Sequence, residues 1–240
     1  MMTFISQNPI PVRERLIMAL DVPSIAEAQA LVEELGDSVI FYKVGMELFM
    51  CGDYFSFIEW LKKRNKKVFV DLKFFDVPAT VGRAIKALSS KGVDFATIHG
   101  NDAIMQAAAE NKGDLKVLAV TALTSLDRGD LDDLGFSCDV RDLVLSRAKR
   151  ALSIGCDGVV SSGLEAQLLR ENLDNKLLVI TPGIRPVDNR EEDDQKRVVS
   201  VETAFQSGAD YIVVGRPIRD ADNRVAMAEK IQSQIAEQFN

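Results

Sequence analysis

Eight short apolar runs rich in β-branched residues recur along the chain, and each is followed by a segment with helical periodicity. Successive runs begin roughly 20–40 residues apart, a spacing that accommodates a strand, a helix and two loops in a parallel sheet. This alternation predicts an α/β fold, and its count is that of a (β/α)8 TIM barrel. The predicted strands are 16–22, 39–45, 67–70, 95–99, 117–121, 158–161, 177–181 and 211–214.

The segments between these strands have the lengths and apolar spacing of crossover helices. No linker or low-complexity segment divides the 240 residues, so we expect a single domain, residues 1–240, with residues 1–12 as a short N-terminal extension. An open doubly wound sheet has the same alternation and is the alternative fold. The predicted helices are 24–36, 54–63, 78–90, 103–110, 140–153, 164–171, 201–206 and 221–237, with a loop through Asp133 before the fifth.

Composition limits the classes of partner and compartment. The net charge of −7 offers no basic surface for nucleic acid, although an acidic protein can carry a local cationic pocket for a nucleotide-sized anion. The three cysteines have neither disulfide nor zinc spacing, which indicates a reducing compartment. No apolar run approaches the roughly 20 residues of a membrane span, and the N-terminus lacks the features of an export signal. We therefore expect a cytoplasmic protein without a membrane partner.

The decapeptide after the third strand, DLKFFDVPAT, carries an unusual concentration of charge. Strand alternation places Asp71 and Lys73 on one face, and Asp76 follows at the turn. Thr80 lies where the next helix begins. Because burying charge is costly unless it is paired, this grouping suggests a functional site. The alternative for these residues alone is a strand-end salt bridge followed by a helix cap.

Charged residues also end the first two strands, at Asp21 and Lys43. Either residue alone would be an ordinary solvated strand end. In a barrel of this kind, however, active sites lie at the carboxyl ends of the strands, where both residues would join Asp71 and Lys73. An alternating array of two ammonium and two carboxylate groups would keep the lysines charged, since each lies near a carboxylate.

The loops after the seventh and eighth strands are the usual phosphate site of such a barrel. Gly215 would let its backbone N–H approach an anion, and Arg216 offers a planar fork for phosphate oxygens. The long charged loop after the seventh strand is either a solvated connection or a lid that brings Arg185 and Gln195 onto the phosphate. Thr124, after the fifth strand, could hydrogen-bond a polar ring edge or simply cap a turn.

The single histidine, His99, ends the fourth strand. It cannot anchor a His-rich metal site, and no other Cys or His cluster exists, so no metal is predicted. We interpret His99 as a hydrogen-bonded wall residue, which leaves proton transfer to a lysine or a carboxylate.

With these residues in place, the sequence resembles the orotidine 5′-monophosphate decarboxylase family over essentially its whole length. Two residues depart from the usual family pattern, since Phe75 replaces a common His and Ala79 replaces a common Asn. Neither belongs to the charged array, so both bear on the shape of the turn. The matching motifs are Leu20-Asp21, Lys43-Val44-Gly45, the decapeptide, Leu123-Thr124-Ser125, Thr181-Pro182-Gly183-Ile184-Arg185 and Val214-Gly215-Arg216.

The resemblance implies decarboxylation of orotidine 5′-monophosphate to uridine 5′-monophosphate in de novo pyrimidine biosynthesis, with no metal and no organic cofactor. It implies a homodimer in which Asp76 and Thr80 reach the neighbouring active site. The family roles carried onto this chain are Lys73 as proton donor, Lys43 and Asp71 in the charged network, Asp21 and Lys43 on the ribose hydroxyls, Thr124 on the pyrimidine, and Arg185, Gln195, Gly215 and Arg216 around the phosphate.

Two alternative functions remain at this point. A metal-assisted sugar-phosphate decarboxylase or hexulose-phosphate synthase of the same superfamily shares the Asp-x-Lys-x-x-Asp pattern. Lys43 and the full decapeptide favour the nucleotide enzyme, and metal dependence would discriminate the two. A non-catalytic phosphate-binding barrel would be expected to have a broken array, whereas all four charged residues are present here.

Overall fold

The eight predicted strands form a closed parallel barrel, in which neighbours in sequence are neighbours in the sheet and the last strand pairs with the first. The computed structural model describes residues 4–173, 175–185 and 198–239. Closure confirms the predicted TIM barrel and excludes the open doubly wound sheet. The strands are β1 (Leu16–Ala19), β2 (Phe41–Gly45), β3 (Lys67–Phe74), β4 (Phe95–His99), β5 (Lys116–Val120), β6 (Gly158–Val160), β7 (Leu178–Thr181) and β8 (Tyr211–Val214).

Helices surround the barrel and cover its outer face. In the described part of the chain they are α1 (Ile25–Leu35), α2 (Met46–Phe49), α3 (Tyr54–Lys63), α4 (Pro78–Ser89), α5 (Asp102–Asn111), α6 (Arg128–Asp133), α7 (Val140–Ile154), α8 (Gly163–Asn172), α9 (Val201–Gln206), α10 (Arg216–Arg219) and α11 (Arg224–Phe239). The larger core lies between these helices and the outward side chains of the strands.

The interior of the barrel is filled by a separate apolar cluster. Phe41, Phe69, Phe95 and Tyr211 pack edge to face, with ring centroids 5.0–6.0 Å apart. Such edge-to-face pairs contribute interaction free energy in addition to that of burying their apolar area. The packed rings fill the barrel interior beneath the carboxyl-end mouth, so it is a core and not a water-filled channel.

A polar layer lies directly above these rings. Strand side chains alternate between the two faces, so the residue two positions after each inward ring also points inward. On β2, β3 and β4 those residues are Lys43, Asp71 and Thr97. Three adjacent strands therefore each change from an aromatic to a polar inward side chain toward their carboxyl ends, which places charge at the carboxyl-end mouth.

Several sequence predictions were wrong in detail. The first strand ends at Ala19 rather than at residue 22, and the third continues to Phe74 rather than stopping at residue 70. The loop predicted through Asp133 contains α6, whose first turn is stabilised by a capping box between Asp127 and Asp130. Two further short helices, α2 and α10, directly follow β2 and β8. Short helices of this kind lack the apolar periodicity that a sequence pattern detects.

The segment before β1 packs across the amino-end opening of the barrel. Ser6 and Asn8 donate hydrogen bonds to the Asp210 carboxylate, which precedes β8. Asp210 also pairs with Arg170 of α8 at 2.5 Å, and both side chains are almost fully buried. Each charge has a partner and further hydrogen bonds, which offset the free-energy cost of removing the pair from water. The pair therefore connects α8, β8 and the N-terminal segment at the amino-end rim of the barrel.

Candidate active site

A cavity of about 390 Å³ opens at the carboxyl ends of the strands, above the aromatic layer. Its floor is apolar and its walls carry both signs of charge, the combination expected of a site for a polar, charged small molecule. The lining residues come from β1, β2, β3, β5, β6 and β8, from the loops after β1, β5, β7 and β8, and from α10: Ala19, Asp21, Lys43, Phe69, Asp71, Lys73, Val120, Ala122, Leu123, Thr124, Val160, Pro182, Gly183, Arg185, Val213, Gly215, Arg216 and Arg219.

The four charged residues predicted at the ends of β1, β2 and β3 form one continuous array. The Lys43 Nζ lies 3.1 Å from an Asp21 oxygen and 3.5 Å from an Asp71 oxygen, and the Lys73 Nζ lies 2.9 Å from the other Asp71 oxygen. The side chains of Lys43 and Asp71 are only 12% and 13% exposed, whereas Lys73 and Asp21 are 38% and 45% exposed. The centre of the array is therefore buried, and its two ends face the cavity.

Burial and charge act in opposite directions on the pKa values at the centre. Burial alone would lower the pKa of Lys43, but the nearby carboxylates of Asp71 and Asp21 outweigh it, so the pKa of Lys43 is raised. Burial alone would raise the pKa of Asp71, but Lys43, Lys73 and hydrogen bonds outweigh it, so the pKa of Asp71 is lowered. Both groups therefore stay charged throughout the neutral range.

Glycine at position 45 leaves room for this arrangement. A Cβ at Gly45 would lie 3.3 Å from the Lys43 Nζ and 3.6 Å from an Asp21 oxygen. The first of these contacts is tighter than ordinary van der Waals packing, so a side chain there would press on the ammonium group. The glycine of the Lys-Val-Gly motif therefore provides the space that the Lys43 ammonium group occupies.

The side of the cavity that the sequence predicted as a phosphate site is formed by the loops after β7 and β8. Gly183, Arg185, Gly215 and Arg216 line it together. Gly183 has a φ of 76°, a left-handed conformation that favours glycine. Arg185 is held in place by a backbone bridge, since its N–H donates to the carbonyl of Val199 at 3.0 Å. Gln195, the remaining residue predicted here, lies outside the described residues.

Thr124 lines the cavity from the loop after β5. The apolar side chains of Val120, Ala122, Leu123 and Val160, from β5, β6 and the same loop, also line the cavity. This wall can contact the face of a flat ring while the Thr124 hydroxyl remains near its polar edge.

Asp76 and Thr80 do not join the cavity of their own chain. Asp76 is exposed, and its carboxylate accepts a hydrogen bond from the Val77 N–H at 2.6 Å. The Thr80 hydroxyl accepts one from Arg83 at 3.3 Å. Of the predicted site residues that the structure describes, these two alone fall outside the cavity lining.

His99 does not line the cavity. Its buried Nδ1 has no hydrogen-bond partner among the described residues, so the interpretation of His99 as a hydrogen-bonded wall residue gains no support at that atom. Its ring packs against Phe75, with centroids 4.5 Å apart. Burial, assisted by the positive charge of Arg147, lowers the pKa of His99, so the ring is neutral near pH 7.

Sequence reasoning missed two residues at the site. Thr97 is fully buried on β4 and hydrogen-bonds both Asp71 and the backbone of Lys73. Arg219 lines the cavity and donates to the backbone carbonyl of Asp21 at 2.7 Å. Strand alternation from Phe95 would have pointed to Thr97, whereas no sequence pattern indicated Arg219, since α10 itself was not predicted.

Within the described residues there is neither a candidate membrane span nor a cluster of candidate metal ligands. None of the described helices is both long and apolar enough to cross a membrane. Across the same residues, no three His, Cys, Asp or Glu side chains are grouped as a metal site would require.

Comparisons with known proteins agree on one family. Residues 14–231 match the model of the "Orotidine 5'-phosphate decarboxylase / HUMPS family". The chain is 69% identical, over 100% of its length and 99% of the relative, to orotidine 5′-phosphate decarboxylase of Methylococcus capsulatus, and 51% identical, over 96% and 97%, to that of Stenotrophomonas maltophilia. Among solved structures, orotidine 5′-phosphate decarboxylase from Lactobacillus acidophilus matches with a TM-score of 0.82 and 34% identity, over 92% of this chain and 99% of that one.

Proposed function

This chain belongs to the orotidine 5′-phosphate decarboxylase / HUMPS family, and we propose that Lys73 supplies the proton in its reaction. The chain is a carboxy-lyase that converts orotidine 5′-monophosphate to uridine 5′-monophosphate in pyrimidine biosynthesis. The relatives that match over the full length are orotidine 5′-phosphate decarboxylases. We therefore assign the nucleotide decarboxylase activity and not the sugar-phosphate activity. The observation that carries the proposed mechanism is the Asp21–Lys43–Asp71–Lys73 array at the cavity wall.

The chemistry requires a cation beside the reacting carbon. Breaking the bond between the ring carbon and its carboxylate releases CO2 and leaves the electron pair on that carbon, where no adjacent group delocalises it. The Lys73 ammonium, held 2.9 Å from Asp71, stabilises the developing charge and donates a proton to the carbon, and solvent then reprotonates the amine. Because the array is preorganised, little reorganisation is needed during the reaction.

The remaining residues bind the parts of the nucleotide that do not react. Asp21 and Lys43 bind the ribose hydroxyls, Thr124 contacts the pyrimidine edge, and Arg216 with the Gly215 backbone holds the phosphate. Arg185 and Gln195 complete the phosphate site in this proposal. Binding energy from the remote phosphate positions the ring over Lys73 and so assists the chemical step.

We also propose that the active unit is a homodimer. Asp76 and Thr80 lie outside the cavity of their own chain, although the family resemblance assigns them to a site. Phe75 and Val77, on either side of Asp76, are large apolar side chains that are 66% and 63% exposed. An exposed apolar turn of this kind is suited to contact with a second copy, which would carry Asp76 into the partner's cavity.

Mixing two inactive variants tests this shared site. If Asp76 acts across the interface, a dimer of one Lys73→Ala and one Asp76→Ala subunit has one intact site. Random exchange of subunits should then restore about a quarter of the wild-type activity, since half of the dimers are mixed and each has one working site. The control mixes Lys73→Ala with Asp71→Asn, whose mixed dimers have no intact site. Absence of recovery in the first mixture, with subunit exchange verified, would contradict the shared site.

The reaction itself is tested by ultraviolet absorbance. Purified protein with orotidine 5′-monophosphate and a chelator should show loss of the orotate absorbance, with uridine 5′-monophosphate as the product. Orotidine without its phosphate should react far more slowly, because it lacks the remote binding energy. Activity on a sugar phosphate that appears only when magnesium is restored would instead support the rival enzyme, and inactivity in both assays would leave a binding barrel.

A further inference from the structure

We propose that Thr97 is a positioning residue that fixes Asp71 and Lys73 relative to each other. Thr97 has no role in the proposed function. The inference rests on the proposed function of Lys73 as proton donor.

The ladder between β3 and β4 is interrupted at the site. Val70 pairs with Ala96 and Phe74 pairs with Ile98, so residues 71, 72 and 73 of β3 stand opposite a single residue of β4, which is Thr97. Extra residues in a bulge lose their ladder hydrogen bonds and need other partners. Within this bulge, Lys73 has a φ of 48°, a left-handed conformation that is uncommon for a residue with a side chain.

Thr97 supplies the missing partner for the Lys73 backbone. The Lys73 N–H donates to the Thr97 hydroxyl oxygen at 2.9 Å. The threonine side chain is fully buried, so water does not compete for this bond. A backbone conformation that is costly on its own persists only when surrounding contacts hold it, and this hydrogen bond is one such contact.

The same hydroxyl group also fixes the Asp71 carboxylate. It donates to Asp71 Oδ1 at 2.9 Å, and that oxygen accepts a further hydrogen bond from the Lys73 Nζ at 2.9 Å. The contacts form a closed ring from the Lys73 backbone, through Thr97 and Asp71, to the Lys73 ammonium. Thr97 therefore restrains both ends of a long, flexible side chain.

Thr97→Val tests this role because valine keeps the shape of threonine and removes its hydroxyl group. We expect kcat to fall by about a hundredfold, the scale of effect produced by a misplacement of roughly 1 Å. KM should stay near the wild-type value, because Thr97 does not line the substrate cavity. Thr97→Ser retains the hydroxyl group and should recover most of the lost activity.

Thr181→Val is the matched control. Thr181 is also fully buried near the end of a barrel strand, but its hydroxyl has no hydrogen-bond partner in the described part of the chain. The substitution therefore removes the same group from a similar environment without breaking a bond to the array. Its kcat should remain close to that of the wild type, and thermal unfolding of all three variants reports whether each is folded.

A pH profile separates positioning from a general loss of packing. The Thr97 hydrogen bond is one of the contacts that lower the pKa of Asp71, so removing it should raise that pKa. The acid limb of kcat/KM in Thr97→Val should then move to higher pH, because a neutral Asp71 no longer holds Lys73. The charged and titratable groups that face Asp71 are Lys43 from β2, Lys73 on its own strand, Tyr54 from α3 and, through Lys43, Asp21.

The outcomes distinguish this inference from the proposed function. Reduced kcat in Thr97→Val with recovery in Thr97→Ser, a shifted acid limb and an unaffected control would support it. Wild-type kcat in folded Thr97→Val would overturn it, as would equal losses in the serine variant or in the Thr181 control. Lys73→Ala is measured in the same series, because activity in that variant would mean that the proton donor itself is assigned wrongly.

Discussion

Replacing Lys73 with alanine is expected to abolish turnover, with kcat falling by at least about a thousandfold. One ammonium group is proposed to stabilise the carbanion and to protonate it, and losses of about 10²–10⁴-fold are typical for removing either function. Alanine keeps the Cβ, so the backbone at φ 48° is no more crowded than before. The measurement is the loss of orotate absorbance in folded Lys73→Ala, compared with the wild type.

The control for this prediction is Lys116→Ala. Lys116 is exposed at the beginning of β5, on the opposite rim of the barrel, so its removal deletes the same charge away from the site. Its kcat should match that of the wild type. Near-normal turnover in Lys73→Ala would refute the proposed mechanism, whereas equal losses in both variants would indicate a general effect of net charge.

Replacing Asp71 with asparagine should reduce kcat by about a hundredfold or more. Asparagine preserves the shape of the side chain but removes the charge that lies between the Lys43 and Lys73 ammonium groups. The two cations would then repel each other across a neutral amide, and Lys73 would leave its productive position.

The same substitution should change the alkaline side of the pH profile. Burial lowers the pKa of Lys43, and in the wild type the carboxylates of Asp71 and Asp21 outweigh that effect. Without the Asp71 charge only Asp21 opposes burial, so the pKa of Lys43 should fall. As pH rises, the residual activity of Asp71→Asn should therefore decline at lower pH than that of the wild type.

The measurement is kcat/KM across roughly pH 6–10, a range in which an ordinary lysine begins to lose its proton. Asp114→Asn serves as the control, because Asp114 is exposed in the turn before β5 at the far end of the barrel. Its profile should coincide with that of the wild type. An Asp71→Asn profile with wild-type kcat and an unshifted alkaline limb would mean that the array does not position the proton donor.

Much of the fold followed from local patterns in the sequence. The eight strand–helix repeats were sufficient to predict the TIM barrel, because burial of both sheet faces leaves continuous apolar runs. Strand ends also pointed to Asp21, Lys43, Asp71 and Lys73, which meet in one array. These inferences succeeded because the carboxyl ends of parallel strands converge at one rim, whatever the detailed packing.

Other features depended on contacts between residues that are distant in sequence. Regular alternation was expected to bring Asp71 and Lys73 together, but Lys73 reaches Asp71 through a bulge and a left-handed backbone. Thr97 completes that geometry from the next strand, and Arg219 reaches the Asp21 carbonyl from a position 198 residues away. Sequence thus determined which strands would carry the charges. Only the tertiary structure decided how they are held, because bulges and long-range hydrogen bonds arise from the pairing of strands and leave no local periodic signal.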